Sequence, residues 1–177
     1  MGNSIKLARQ LIFLATGTLF AASCGKPLQA DKLMKESNEK ISAPTAADQE
    51  RLREQRLGVE KYLGDQDLSA DYHTTTGKLR AIQALLDANT YNPTQSYELQ
   101  CLGIVLGDAF VQEFSMEWVM IEDEYGRDPV VRAPGSTIIL YPMTMISKRV
   151  EQGKKVDVFE MFSGVEAKVA EMKRQRM

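Results

Sequence analysis

Glu122, Asp123, Glu124, Arg127 and Asp128 crowd one short stretch of the chain, just beyond Trp118. Crowded carboxylates push one another's pKa values apart, so one holds its proton while a neighbour gives its proton up. That is the arrangement general acid–base chemistry needs, and oxygen ligands at this density also suit a divalent cation. Lys148, Arg149 and Glu151 join the constellation if the chain folds back on itself. Against this, the run Asp-Glu-Tyr-Gly-Arg-Asp lacks the alternating acids and closing Glu of a calcium loop. Asp and Gly are also the default residues of turns. The simpler reading is a solvated hairpin turn in which Asp123 or Asp128 caps backbone amides and Arg127 pairs across the turn. The candidate binding residues are therefore Trp118, Asp123, Glu124, Arg127, Asp128 and Arg149. No residue is assigned to catalysis, and no metal or cofactor is expected.

Other chemistries find little support. Ser115, Ser136 and Ser147 lack a Gly-x-Ser-x-Gly frame. Gly103 and Gly107 are not followed by the Gly-Lys-Ser/Thr of a phosphate loop. The two cysteines, Cys24 and Cys101, and the single His73 stand at spacings unlike a zinc site. Cys101 lies among Leu99, Leu102, Ile104 and Val105 and reads as a small packing residue. A catalytic thiol needs a neighbouring base, and His73 sits in a polar, loop-like stretch. Trp118 suits a partner anchor, although a lone Trp in an apolar run is more often core. Met143, Met145, Met161 and Met172 suit an adaptable surface, with ordinary helix packing as the plainer reading.

The elements that must position these residues follow from periodicity. Thr45 and Asp48 have the spacing of a capping box and open a helix with Leu52, Leu57, Val59, Tyr62 and Leu63, ending at Gly64-Asp65. Residues 65–74 read as a polar loop. Leu79, Ile82, Leu85 and Leu86 predict a second helix over 76–88. After Asn92-Pro93, Thr94 or Ser96 caps a third helix to Phe114, apolar around most of its circumference and so central to the fold. Gly103 and Gly107 clear one of its faces for tight packing across a sheet. Residues 117–122, 130–132 and 137–141 read as a three-stranded antiparallel meander. Pro142 opens a helix to Gly153, and a last helix from Asp157 places Phe159, Phe162, Val165, Val169 and Met172 on one face. The expected fold is α+β, with helices packed on a small three-stranded antiparallel meander around a central apolar helix.

Lys6 and Arg9 precede the apolar run Leu11 to Ala22, which ends in Ala21-Ala22-Ser23-Cys24-Gly25. This is the pattern of a bacterial export signal, shorter than the roughly 20 residues of a membrane-spanning helix. Cys24 after small residues resembles a lipobox, making it the lipidated first residue of a lipoprotein. Ala21 stands where lipoproteins more often carry Leu, so the alternative is cleavage after Ser23 and a soluble periplasmic protein. Met1-Gly2-Asn3 invites N-myristoylation, but Lys6 stands where that motif wants Ser or Thr. The expected organisation is a signal over 1–23, a polar tether over 24–44, with a short helix around 31–41 as an option, and one domain over 45–177. Gly25 lacks the acid associated with inner-membrane retention, which points to the outer membrane facing the periplasm.

The whole chain has a formal charge of −2. Residues 1–23 hold Lys6, Arg9 and no acid, so the remainder has 20 basic against 24 acidic residues, or −4. That balance argues against a nucleic-acid partner, which requires a clustered basic surface. Lys173-Arg174-Gln175-Arg176 reads as the basic end of a helix, complementing its dipole.

Four separated motifs occur in order: Leu102-Gly103-Ile104-Val105-Leu106-Gly107-Asp108, Glu117-Trp118-Val119, Asp123-Glu124-Tyr125-Gly126-Arg127-Asp128-Pro129 and Ile146-Ser147-Lys148-Arg149-Val150-Glu151. Together they resemble a bacterial family catalogued as domain of unknown function 3806, over about residues 75–165. The resemblance implies a domain boundary and supplies no activity or site residues. The expectation is a non-catalytic envelope lipoprotein domain, anchored in the membrane through Cys24, that binds another envelope protein in an accessory or inhibitory role. The alternative is a small enzyme or ligand-binding protein using the acids at the first strand turn.

Overall fold

The computed structural model describes residues 40–64, 68–124 and 126–174. The signal, Cys24 and the tether as far as residue 39 lie outside them.

Helix α1 (Ala46–Glu60) opens on the capping box its residues predict. Thr45 Oγ1 accepts from the Asp48 amide at 3.2 Å, and the Asp48 carboxylate accepts from the Thr45 amide at 2.9 Å. Leu52 and Val59 turn inward, whereas Leu57 is 45% exposed, so its apolar stripe is narrower than expected. Helix α2 (Thr75–Asp87) is capped by Thr74, whose Oγ1 accepts from the Gly77 amide at 2.9 Å. Helix α3 (Ser96–Phe114) buries Leu102, Ile104, Val105, Leu106, Ala109 and Phe110 completely and packs against α1 and α2. Its cap differs from expectation. Gln95 holds the N-cap position, because Thr94 is held in a turn by Asn92 Oδ1, which accepts from the Thr94 amide and hydroxyl.

Ser115 takes a left-handed conformation, with φ 53°, and turns the chain into the sheet. The sheet has four antiparallel strands in the order β1 (Lys40–Ser42), β2 (Glu117–Asp123), β3 (Gly126–Arg132) and β4 (Ile139–Leu140). The expected three-stranded meander is β2 to β4. Strand β1 is an addition, and it lies in the stretch read as tether and optional helix. Three residues are too few to show a period of two; Lys40–Ser42 is a strand because it pairs, Ile41 opposite Ile121. The folded domain therefore includes Lys40 to Pro44.

On one sheet face Trp118 pairs with Val131, Met120 with Pro129 and Glu122 with Arg127. Trp118 and Val131 join the main core there. On the other face Val119, Ile121 and Val130 form a separate cluster with Ile139.

Helix α4 (Met143–Glu151) follows Pro142 and packs on α3; helix α5 (Val158–Arg174) reaches α2. The two α3 glycines serve different neighbours. A side chain at Gly103 would come within 2.5 Å of the Pro142 carbonyl oxygen, and one at Gly107 would collide with the Trp118 ring. Close approach to α4 as well as to the sheet is thus what they permit. Phe110, Phe114 and Phe162 stack with centroids 5.3–5.8 Å apart, tying α5 to α3. Val158 is the buried residue at the start of α5, while Phe159 is 39% exposed. The architecture is α+β, as expected.

Candidate functional site

The acidic stretch folds as the β2–β3 hairpin and is held by structural bonds. Asp123 Oδ1 accepts from the Gly126 amide at 3.1 Å, the turn cap expected of it. Arg127 pairs with its cross-strand neighbour Glu122 at 3.3 Å and, more closely, with Asp48 of α1 at 2.8 Å. Its Nη1 also donates to Ser42 of β1 at 3.1 Å. Arg127 thereby joins β1, α1, β2 and β3. The hydrogen bonds from Arg127, then that from the Thr45 amide, hold the Asp48 carboxyl well below the usual carboxylate range. Glu122, Asp123, Glu124 and Asp128 are exposed at the tip.

Trp118 belongs to a second polar cluster that the residue pattern did not reveal. Its Nε1 donates to Asp108 Oδ1 at 2.9 Å, and Arg56 grips the same carboxylate with Nε at 2.6 Å and Nη2 at 2.7 Å. Bidentate pairs of this kind are the strong, geometrically specific ones. This one locks α1, α3 and β2 together, so the half-buried Trp118 is part of the packing. Nearby, burial pushes the Tyr72 phenol up and the Lys78 ammonium down. Cys101 is buried, and burial followed by the charge of Glu98 pushes its thiol up, the opposite of an activated nucleophile. Among the described residues no group of His, Cys, Asp and Glu is arranged to hold a metal ion.

Arg149 is not brought to the hairpin site. It lies on α4 beside a cleft of about 530 Å³ between α4, β4 and α5. Leu140, Met145, Val156, Met161, Val165, Val169 and Met172 make the apolar wall. Charged side chains stand on the rim: Arg149, Lys155 and Lys168 against Asp157 and Glu160. Arg149 Nη1 donates to the Met145 carbonyl at 2.7 Å, which fixes the guanidinium at the mouth. Asp157 is occupied in capping α5, accepting from the Phe159 and Glu160 amides at 3.0 and 2.9 Å. Lys168 pairs with Glu171 at 2.8 Å. Three of the four methionines singled out in the sequence line this cleft. Lys155, Glu160, Gly164 and Lys168 were missed. The signal available for them was Gly164, a helix-interior glycine where an added Cβ would meet nothing within 4 Å.

This is a small α+β domain with an apolar, charge-rimmed cleft between α4, β4 and α5. Residues 78–162 match the family model described as domain of unknown function DUF3806, inside the span the motifs indicated. A crystal structure of a protein from Bacteroides thetaiotaomicron VPI-5482, determined at 1.50 Å, has a similar fold. Its TM-score is 0.59 at 17% sequence identity, over 72% of this chain and 47% of that one. This chain thus spans about half the length of that protein. No curated protein matches the chain.

Proposed function

We propose that this chain is a non-catalytic binding domain of an exported envelope lipoprotein, engaging its partner through the α4–α5 cleft. The supporting observation is a contrast between two sites. At the hairpin, Arg127 and Asp123 are taken up in bonds that hold the fold, whereas the cleft offers an apolar wall edged by cations and acids. Concave, mainly apolar sites with a few placed polar groups are the usual form of a ligand site. Export and the anchor at Cys24 belong to this reading on the strength of the residues before Gly25. A second reading, direct binding of another envelope protein, is favoured by the exposed acids at the rigidly held hairpin tip.

Photo-crosslinking in cells from position 161, in the cleft, and from position 124, at the tip, separates these readings. Adducts from 161 that vanish in Gly164→Leu support the cleft; adducts only from 124 move the binding surface to the hairpin. Substrate turnover that disappears in Asp123→Ala, with no adducts at either position, would overturn the non-catalytic reading.

A further inference from the structure

We infer that β1 is a detachable strap over the edge of β2, latched by Arg127, which opens while the rest of the domain stays folded. The register shows which groups the strap covers. Pro129 has no N–H to give, so Met120 and Pro129 face each other as a non-bonded pair. Bonded and non-bonded pairs alternate along an antiparallel ladder. Val119 with Val130 and Ile121 with Asp128 are therefore the bonded pairs of β2 and β3. Met120 and Glu122 turn their N–H and C=O groups the other way, where Ser42 and Lys40 of β1 stand opposite them.

Little holds the strap in place. It is 3 residues long, with Lys40 and Ile41 exposed and Ser42 half-buried. Ile41 is 39% exposed although it pairs with Ile121. Among the described residues, the side-chain hydrogen bond that reaches β1 is the one from Arg127 Nη1 to Ser42 Oγ at 3.1 Å. Segments with few buried apolar contacts are the ones that open locally, well below the free energy of global unfolding. Opening also strands no charge. Arg127 keeps Asp48 at 2.8 Å and Glu122 at 3.3 Å when Ser42 leaves, and the Ser42 hydroxyl returns to water. The opening stops at Thr45, whose capping box with Asp48 belongs to α1.

Release has two effects, and neither depends on the cleft. It frees the backbone groups of Met120 and Glu122, so the edge of β2 becomes a place where another extended chain can add. It also frees Lys40 to Pro44, which then reach up to about 17 Å at about 3.4 Å per residue. The strap thus governs both access to the sheet edge and the distance between the folded domain and the chain that precedes it.

The test is amide hydrogen exchange of the full chain, resolved by residue with NMR and repeated at low urea concentrations. Two classes of amide should alternate along β2. Met120 and Glu122, released by loss of β1 alone, are expected to be protected about tenfold less than Val119 and Ile121, and to respond more weakly to urea. Ser42→Ala removes the latch and leaves Arg127 on Asp48. Protection of Met120 and Glu122 should then fall a further three- to tenfold, about the worth of one hydrogen bond. Val119, Ile121 and Leu106 of α3 should be unchanged. Equal protection and equal urea response at all four β2 positions would mean that β1 leaves only with the whole sheet, and would overturn the inference. A loss in Ser42→Ala that reaches Leu106 by the same factor would overturn it too. Unchanged protection of Met120 and Glu122 in that variant would overturn Arg127 as the latch.

Discussion

Asp48 illustrates how one residue serves two levels of structure. Its spacing from Thr45 announced a capping box, and the box is there. The same carboxylate also receives Arg127, 79 positions along the chain, and no local pattern carries that information. The pairing has a consequence for acid stability. The Asp48 pKa is lowered in the folded state relative to an unfolded value near about 3.9. Its contribution is therefore complete at neutral pH and is lost as pH falls from about 5 towards the folded pKa, where the unfolded chain binds the extra proton. Asp48→Asn should be less stable than wild type at pH 7. It should also take up as much as one proton less on unfolding below about pH 5. Urea midpoints from pH 3 to 7 check both, and parallel curves for the two proteins would refute the argument. Asp108 makes the complementary case. Asp108→Asn keeps an acceptor for Trp118 but strips Arg56 of its ion pair, at a cost of about 1.5–3 kcal/mol, read from denaturant midpoints.

At the scale of elements, the helices were legible because each repeats its apolar residues at three and four. The central place of α3 followed from an apolar surface too wide for one neighbour. Strand β1 was not legible, since Lys-Ile-Ser carries no pattern and acquires its conformation from pairing with β2. The cleft escaped for a related reason: its wall combines α4, α5, the segment between them and a single residue of β4, and only their packing brings them together. The acids at 122–128 fold as the hairpin turn that Asp and Gly predicted, Asp123 capping Gly126 and Arg127 pairing with Glu122, while the longer tie from Arg127 to Asp48 had no local signal. Gly103 shows how closely the elements depend on one another. In Gly103→Ala the new methyl meets the backbone of Pro142 and Met143, which cannot rotate away as a side chain would. Helix α4 must shift from α3, so the expected loss is about 1–3 kcal/mol. Because α4 carries Met145 and Arg149, the variant should also weaken whatever the cleft holds. Denaturant melts paired with the crosslinking yield from position 161 measure both effects. Unchanged stability would show that the α3–α4 approach is looser than it looks.

For the whole molecule, the binding surface and the anchor pose one joint question. No helix among the described residues is long and apolar enough to cross a membrane; in the proposed reading attachment is through Cys24. Each buried methylene of an acyl chain contributes about 0.8 kcal/mol, and stable attachment takes more than one chain. Replacing Cys24 removes every acyl chain at once while leaving residues 40–174 untouched. Wild type is thus expected in the membrane fraction and Cys24→Ala in the soluble fraction, with the same thermal stability. Fractionation of cells expressing each form provides the measurement. Equal partitioning of the two would sink the anchor and favour cleavage after Ser23. A mutant that is released yet still gives the crosslinks from position 161 would show that the cleft acts independently of the anchor. Binding would then belong to the folded domain, and the anchor would serve to place it.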